Sequence, residues 1–188
     1  MKAKRIIAVL AFVIVWMACA SETPVAPVEE EASPGVVLSE TAVVTEGQMA
    51  SVETSVYELV RTPLDWKSAK KAARRMVASG CKVAHLATIT SAEEQAVVSG
   101  LMAGSESNAW LGGFQPRGEL STDQGWRWST GPRWVYTYWA NNEPNDNPFG
   151  TFIPGSEQHL ETLLGDGAWN DAPGFEEKFL VVESEHCN

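Results

Sequence analysis

The sequence predicts an α+β domain in which two helices flank small antiparallel sheets and a long loop region follows. Three observations carry this. Apolar residues recur at helical spacing behind Asp65 and again behind Ser91, each a residue suited to capping. Beyond Asn108 the helical period disappears, and short apolar runs alternate with Gly and Pro. Residues 141–156 then form a long polar stretch, of a kind uncommon in a compact domain unless it is functional.

The chain opens with the basic run Met1-Lys2-Ala3-Lys4-Arg5, followed by 13 apolar residues at 6–18. Thirteen residues are too few to cross a bilayer, so residues 1–20 are expected to be an export signal. Ala18-Cys19-Ala20 permits cleavage after Ala20. Met17-Ala18-Cys19 also resembles the end of a bacterial lipoprotein signal, in which Cys19 would carry lipid, although Trp16 departs from the usual Leu. Either route exports the protein, as an outer-membrane or periplasmic lipoprotein, to the cell surface, or as a secreted product. An odd number of cysteines, three, suits the lipoprotein route. Setting Cys19 aside leaves Cys81 and Cys187, enough for one disulfide.

Without residues 1–20 the chain has 11 basic residues against 24 acidic ones. That excess argues against nucleic acid as a partner. It also argues against electrostatic attachment to an anionic membrane, leaving an N-terminal lipid anchor as the expected membrane contact. Residues 21–54 are rich in Pro, Glu and Val, with no Lys, Arg or aromatic residue, and are expected to be a flexible tether. The domain proper is expected over residues 55–188.

Within it, residues 56–60 read as a strand. Pro63 and Asp65 open a helix with Gly80 as its stop, and Trp66, Ala69, Ala73 and Met76 on its buried face. Residues 83–89 read as a strand. Ser91-Ala92-Glu93-Glu94 is a capping box opening a second helix through Met102. Further strands are expected at 109–113, 126–128, 159–163, 167–169 and 178–183.

The functional signal lies in the loop region. Glu143-Pro144-Asn145, the lone Glu157 and Trp169-Asn170-Asp171 gather three carboxylates and two carboxamides with no Lys, Arg or Cys among them. Ca²⁺ takes 6–8 oxygen ligands of this kind. An Asn can ligate through oxygen and donate through nitrogen, so such a set can also address a sugar hydroxyl.

At these residues the chain resembles the C-type lectin domain family, whose sugar site is built from EPN, a following Glu and WND. Other landmarks fall in the family's order: Trp66-Lys67-Ser68-Ala69, Leu86-Ala87-Thr88-Ile89 with Ser91 to Glu94, Trp110-Leu111-Gly112-Gly113, and Trp139 before EPN. The resemblance implies the C-type lectin-like fold and a Ca²⁺ cofactor held by Glu143, Asn145, Glu157, Asn170 and Asp171. It implies a cis Glu143–Pro144 bond and a carbohydrate partner, glycan or polysaccharide, contacted by Glu143, Asn145, Glu157 and Asn170. The Glu-then-Asn order suits mannose, glucose, N-acetylglucosamine or fucose. An adhesive role at a surface follows from that reading; a calcium-stabilised domain that binds protein, or serves a structural role without sugar, is the alternative. An auxiliary metal is expected at Glu119, Asp123 and Asp146, although Gln158 replaces that set's last acid.

The family's usual disulfides are missing. Ala73 and Val182 stand at one pair of cysteine positions and His159 and Gly174 at the other, so the resemblance implies a displaced Cys81–Cys187 bridge between the same elements. Trp66, Trp110, Trp126, Trp128 and Trp139 are expected in the core and Trp169 beneath the site; Trp134, Tyr136, Tyr138 and Phe149 are candidates for stacking on sugar. His85 is expected to be structural. No nucleophile–base set or phosphate loop can be assembled by spacing, so no catalytic residue and no enzyme is expected. Without clustered Cys or His along the chain, neither is a zinc site.

Overall fold

A computed structural model describes residues 48–52 and 54–188. The expected signal, Cys19 and most of the expected tether lie outside those residues. The order of elements is β1 (Gln48–Val52), β2 (Ser55–Leu64), α1 (Trp66–Ala73), β3 (Val83–Leu86), α2 (Ala92–Met102), β4 (Ala109–Phe114), β5 (Arg127–Trp128), β6 (His159–Thr162), β7 (Trp169–Ala172) and β8 (Lys178–Glu185). The strands form one sheet in the order β1-β2-β8-β4-β6-β7, with β3 also on β8 and β5 also on β4. All pairings are antiparallel except β4 with β8.

The central strands are covered on both faces, and alternation along them sorts two cores. From β8, Leu180 and Val182 join Trp66, Ala69, Ala73, Leu86 and Trp110 on the α1 side. Val181 points the other way, into a cluster with Tyr57, Leu59, Val98, Leu101, Leu111, Leu160 and Trp169 on the α2 side. The helices start where the caps place them. Asp65 accepts from the Ser68 N–H at 3.0 Å. Ser91 and Glu94 exchange side-chain-to-backbone bonds as a complete capping box.

Several boundaries differ from expectation; β3 ends at Leu86 where the strand was expected to run to 89, and β8 runs on to Glu185. The domain begins earlier, because β1 pairs residue by residue with β2 from Gln48↔Leu59 to Val52↔Ser55. That removes residues 48–52 from the expected tether. β2 continues through Pro63, tolerated where its register with β8 shifts between Val60 and Leu64. Helix α1 stops at Ala73 instead of running to Gly80. Lys70 and Lys71 would stack on Arg74 and Arg75 one turn on, and like charges at that spacing oppose a further turn. Strand β7 starts at Trp169, not 167, because Gly165 and Gly167 take left-handed φ values of 94° and 76° in the preceding turn.

The missing disulfides are replaced by packing. Ala73 and Val182 are both buried in the α1-side core. At the other pair the His159 ring occupies the space of a side chain on Gly174, where an added Cβ would lie 2.5 Å from ring atoms. The same ring stacks on Trp66 at 4.5 Å between centroids. Burial, with Lys70 nearby, holds His159 at a pKa of about 4, so it packs as a neutral ring. The bridge expected between Cys81 and Cys187 is formed.

Candidate functional site

Strand β7 carries Trp169, Asn170 and Asp171 and fixes the loop region from beneath. Trp169 is fully buried, ringed by Trp128, Trp134, Tyr136 and Trp139 at 5.5–5.9 Å, and its indole N–H donates to Gln95 at 2.8 Å. Its backbone donates to Tyr138 and accepts from Ala140, which seats the chain just before Glu143. The Glu143–Pro144 bond is cis, as the motif implies.

Asp171 organises the turn that follows. Its carboxylate accepts from the N–H groups of Asn145 at 3.0 and 3.1 Å and of Asp146 at 2.8 Å. Asp146 repeats the device one step further. It is fully buried, has a left-handed φ of 52°, and accepts from Gly155 at 2.7 Å and Glu157 at 3.0 Å. Glu157 closes the circuit by accepting from the Asn147 N–H. The loop is therefore laced by its own acids.

Their electrostatics are unfavourable without a cation. Burial, then the charge of Asp171, raises Glu143 to about 7 and Glu157 to about 8, against an ordinary value of 4.5. Burial also raises Asp171. Among the described residues no Lys or Arg is paired with any of the three. Glu143 Oε2 and Asn145 Oδ1 are buried with no hydrogen-bond partner. Buried acceptors normally have a partner, so this pair of orphaned oxygens beside three crowded carboxyl groups fits an ion that takes oxygen ligands. Among the described residues the carboxyls of Glu143, Glu157 and Asp171 do not all fall within 4.8 Å of one another.

Asn170 has a partner that the sequence did not predict. Its Nδ2 donates one N–H to Glu161 Oε1 at 2.8 Å, which leaves the second N–H and the amide oxygen. Glu161 lies opposite Asn170 on β6, is buried, and is paired with Lys178 at 2.8 Å; Asn108 donates to it at 3.1 Å. Sequence reasoning missed this support. Its one visible sign was an acid at a buried position of a predicted strand.

The auxiliary set is not assembled. Both oxygens of Asp146 are used within the loop, Glu119 accepts from Leu120 and Ser121 at 3.0 Å, and Asp123 is exposed. The three form no common cluster among the described residues. Asp146 clamps the loop through both of its oxygens. Two expected stacking residues are also reassigned: Trp134 packs on Trp128 at 4.6 Å, and Tyr136 leans on Trp169. Tyr138 and Phe149 remain exposed.

Residues 63–178 match the model of the lectin C-type domain. C-type mannose receptor 2 of Homo sapiens is 37% identical over 65 residues, 35% of this chain, and the match spans only 4% of that receptor. Human lithostathine aligns over 77% of this chain and 92% of its own, at 20% identity and a TM-score of 0.60. The cow carbohydrate-recognition domain of CD23, solved in the presence of GlcNAc2Man3 oligosaccharide, aligns over 79% and 100%, at 21% identity and 0.58. A calcium-independent type II antifreeze protein aligns over 78% and 98%, at 20% identity and 0.56. At such identities these structures speak for the fold alone.

Proposed function

We propose, for a chain that belongs to the C-type lectin domain family, the role of a calcium-dependent carbohydrate-binding module. The observation that carries this is the pair of buried, unpartnered oxygens on Glu143 and Asn145 beside the carboxyls of Glu157 and Asp171. A bound Ca²⁺ would neutralise those carboxylates and offer coordination positions to vicinal hydroxyls. Glu143, Asn145, Glu157, Asn170 and Asp171 would hold it. Asp171 keeps the turn in place, and Asn145 supplies the amide donor that a hydroxyl needs. The motif's order favours mannose, glucose, N-acetylglucosamine or fucose. This is a binding module, not an enzyme.

One Asn170 N–H is already given to Glu161, and this loss of one donor for a hydroxyl favours a second reading, a calcium-stabilised domain that binds protein or serves a structural role without recognising sugar. Retention on mannose and N-acetylglucosamine resins, with calcium and with EDTA, separates the two. Chelator-sensitive retention that Asn145→Asp abolishes while the melting temperature is kept supports the first. Calcium-dependent melting without retention on any glycan supports the second.

Single-site monosaccharide binding of this type would be weak, around millimolar, or about −4 kcal/mol. Export, lipidation of Cys19 and an acidic tether would crowd copies on one surface and raise the effective concentration for adhesion. Cys19→Ser should release the protein from the membrane fraction and remove that gain. If cells carrying the variant adhere to glycan as well as the parent, the anchoring part of the reading fails.

A further inference from the structure

We propose that His85, Glu183 and Glu185 form a binding site for a divalent transition-metal ion of the zinc class, separate from the calcium loop. His85 is far in sequence from Glu183 and Glu185, but the three share one face of the β3–β8 ribbon. His85 lies directly opposite Glu183 in the register, and Glu185 follows two residues along the same strand. Among the described residues they are the one group of three or more His, Cys, Asp or Glu whose ligand atoms all lie within 4.8 Å.

The histidine's hydrogen bonding fixes its tautomer. Nδ1 stands 3.0 Å from the carbonyl oxygen of Leu86. A carbonyl only accepts, so Nδ1 carries the proton. In the neutral ring the lone pair is then on Nε2, which is buried without a hydrogen-bond partner. It faces Glu185 Oε1 at 3.4 Å. Two acceptors facing each other need a proton or a cation between them. Bonds of about 2.0–2.1 Å at tetrahedral angles would place two ligand atoms about 3.4 Å apart. An imidazole whose other nitrogen donates to a backbone carbonyl is also how metal-binding histidines are usually oriented.

Glu183 is the third group of the cluster, with its Oε2 3.8 Å from the Nδ1 side of the ring. It is buried, and it accepts from the Tyr57 hydroxyl at 3.0 Å and the Thr88 N–H at 2.9 Å. Two carboxylates and a neutral imidazole together match the charge of a divalent ion. The imidazole selects the zinc class over calcium, which prefers oxygen throughout. Beyond His85 and Glu185 lies a cleft of about 300 Å³, also lined by Lys70, Arg74, Ser129 and Thr130. A fourth ligand from that side would be water or an anion, because the cleft's other charged groups are cations.

The test uses the full chain, stripped by chelator and returned to millimolar calcium so that the loop residues are saturated. Zn²⁺ is titrated by calorimetry and Co²⁺ by visible absorption. One saturable equivalent of Zn²⁺ is expected, with Co²⁺ bands as intense as four-coordination gives. Affinity should fall about tenfold or more in His85→Ala and in Glu185→Gln, and stay unchanged in His186→Ala and Glu143→Gln. Glu185 is partly exposed and Glu185→Gln keeps its shape, so that variant reports on the ligand even if His85→Ala fails to fold. No saturable uptake would overturn the proposal. Uptake unchanged in Glu185→Gln, or lost in Glu143→Gln, would overturn it too.

Discussion

Two neighbouring places in this molecule bury carboxylates, and they neutralise them in opposite ways. Glu161 on β6 has a cation from the protein itself: Lys178 is 2.8 Å away, and Asn108 and Asn170 fill the other oxygen. Lys178 is in turn set over the Trp110 ring, 5.2 Å from its centroid. A few residues away, Glu143, Glu157 and Asp171 crowd together with no such cation, and two buried oxygens have no partner. The first place has its cation within the protein. The second is where the proposed function puts a cation from outside. Stability at Glu161 should therefore ignore calcium, and stability at the loop should depend on it.

The largest effect comes from breaking the complete side. Lys178→Met leaves Glu161 buried and unpaired, which should cost about 3–5 kcal/mol by chemical denaturation. The loss should be equal in calcium and in EDTA. A loss confined to one of the two conditions would mean that the two groups of acids act as one.

Calcium comes next. At about 100 times its Kd, a ligand bound only by the folded state adds about 2.7 kcal/mol. The pH dependence follows from the raised carboxyls. Between about 4.5 and 8 the folded, calcium-free protein holds protons on Glu143 and Glu157 that the unfolded chain has released. Their contribution is full below about 4.5 and is lost as pH rises through 7 and 8. Melting in EDTA should therefore fall from pH 6 to 8.5, while calcium, which needs the ionised groups, flattens the fall. His159 acts on the acid side in the reverse sense. Its pKa of about 4 lies below the ordinary 6.5, so its contribution is lost as pH falls through that window. Parallel pH–melting curves with and without calcium would contradict the loop's part.

The smallest effect has the sharpest sign. Glu143→Gln removes one of three repelling carboxyls and one ion ligand together. It should stabilise the calcium-free protein, by about 1 kcal/mol for one lost like-charge contact, and destabilise the calcium-loaded one. Destabilisation of the same size in both states would show that Glu143 serves packing alone.

Much of this architecture was legible in the chain. Asp65 and the Ser91–Glu94 box announced both helices, because a cap is a local device. Glu143, Asn145, Glu157, Asn170 and Asp171 were singled out by the resemblance of EPN, Glu157 and WND to a family motif. What was not legible depends on distant partners. Strand β1 lies in a stretch whose composition resembles a tether, and pairing with β2 and the packing of Ala50 on the core place it in the domain. Glu161 gains its meaning from Lys178, and His85 from Glu183 and Glu185, each through strand register that no local pattern states. Asp146 reads as a free loop acid until the backbone turns its N–H groups onto it.

Amide hydrogen exchange, read residue by residue with millimolar calcium and with EDTA, tests the contrast most directly. Calcium should slow exchange at Asn145, Asp146, Asn147, Gly155 and Glu157, whose N–H groups bond to the loop's acids, and leave the amides of β3 and β8 unchanged. No change at those loop amides, or slowing spread evenly over loop and sheet, would contradict the account.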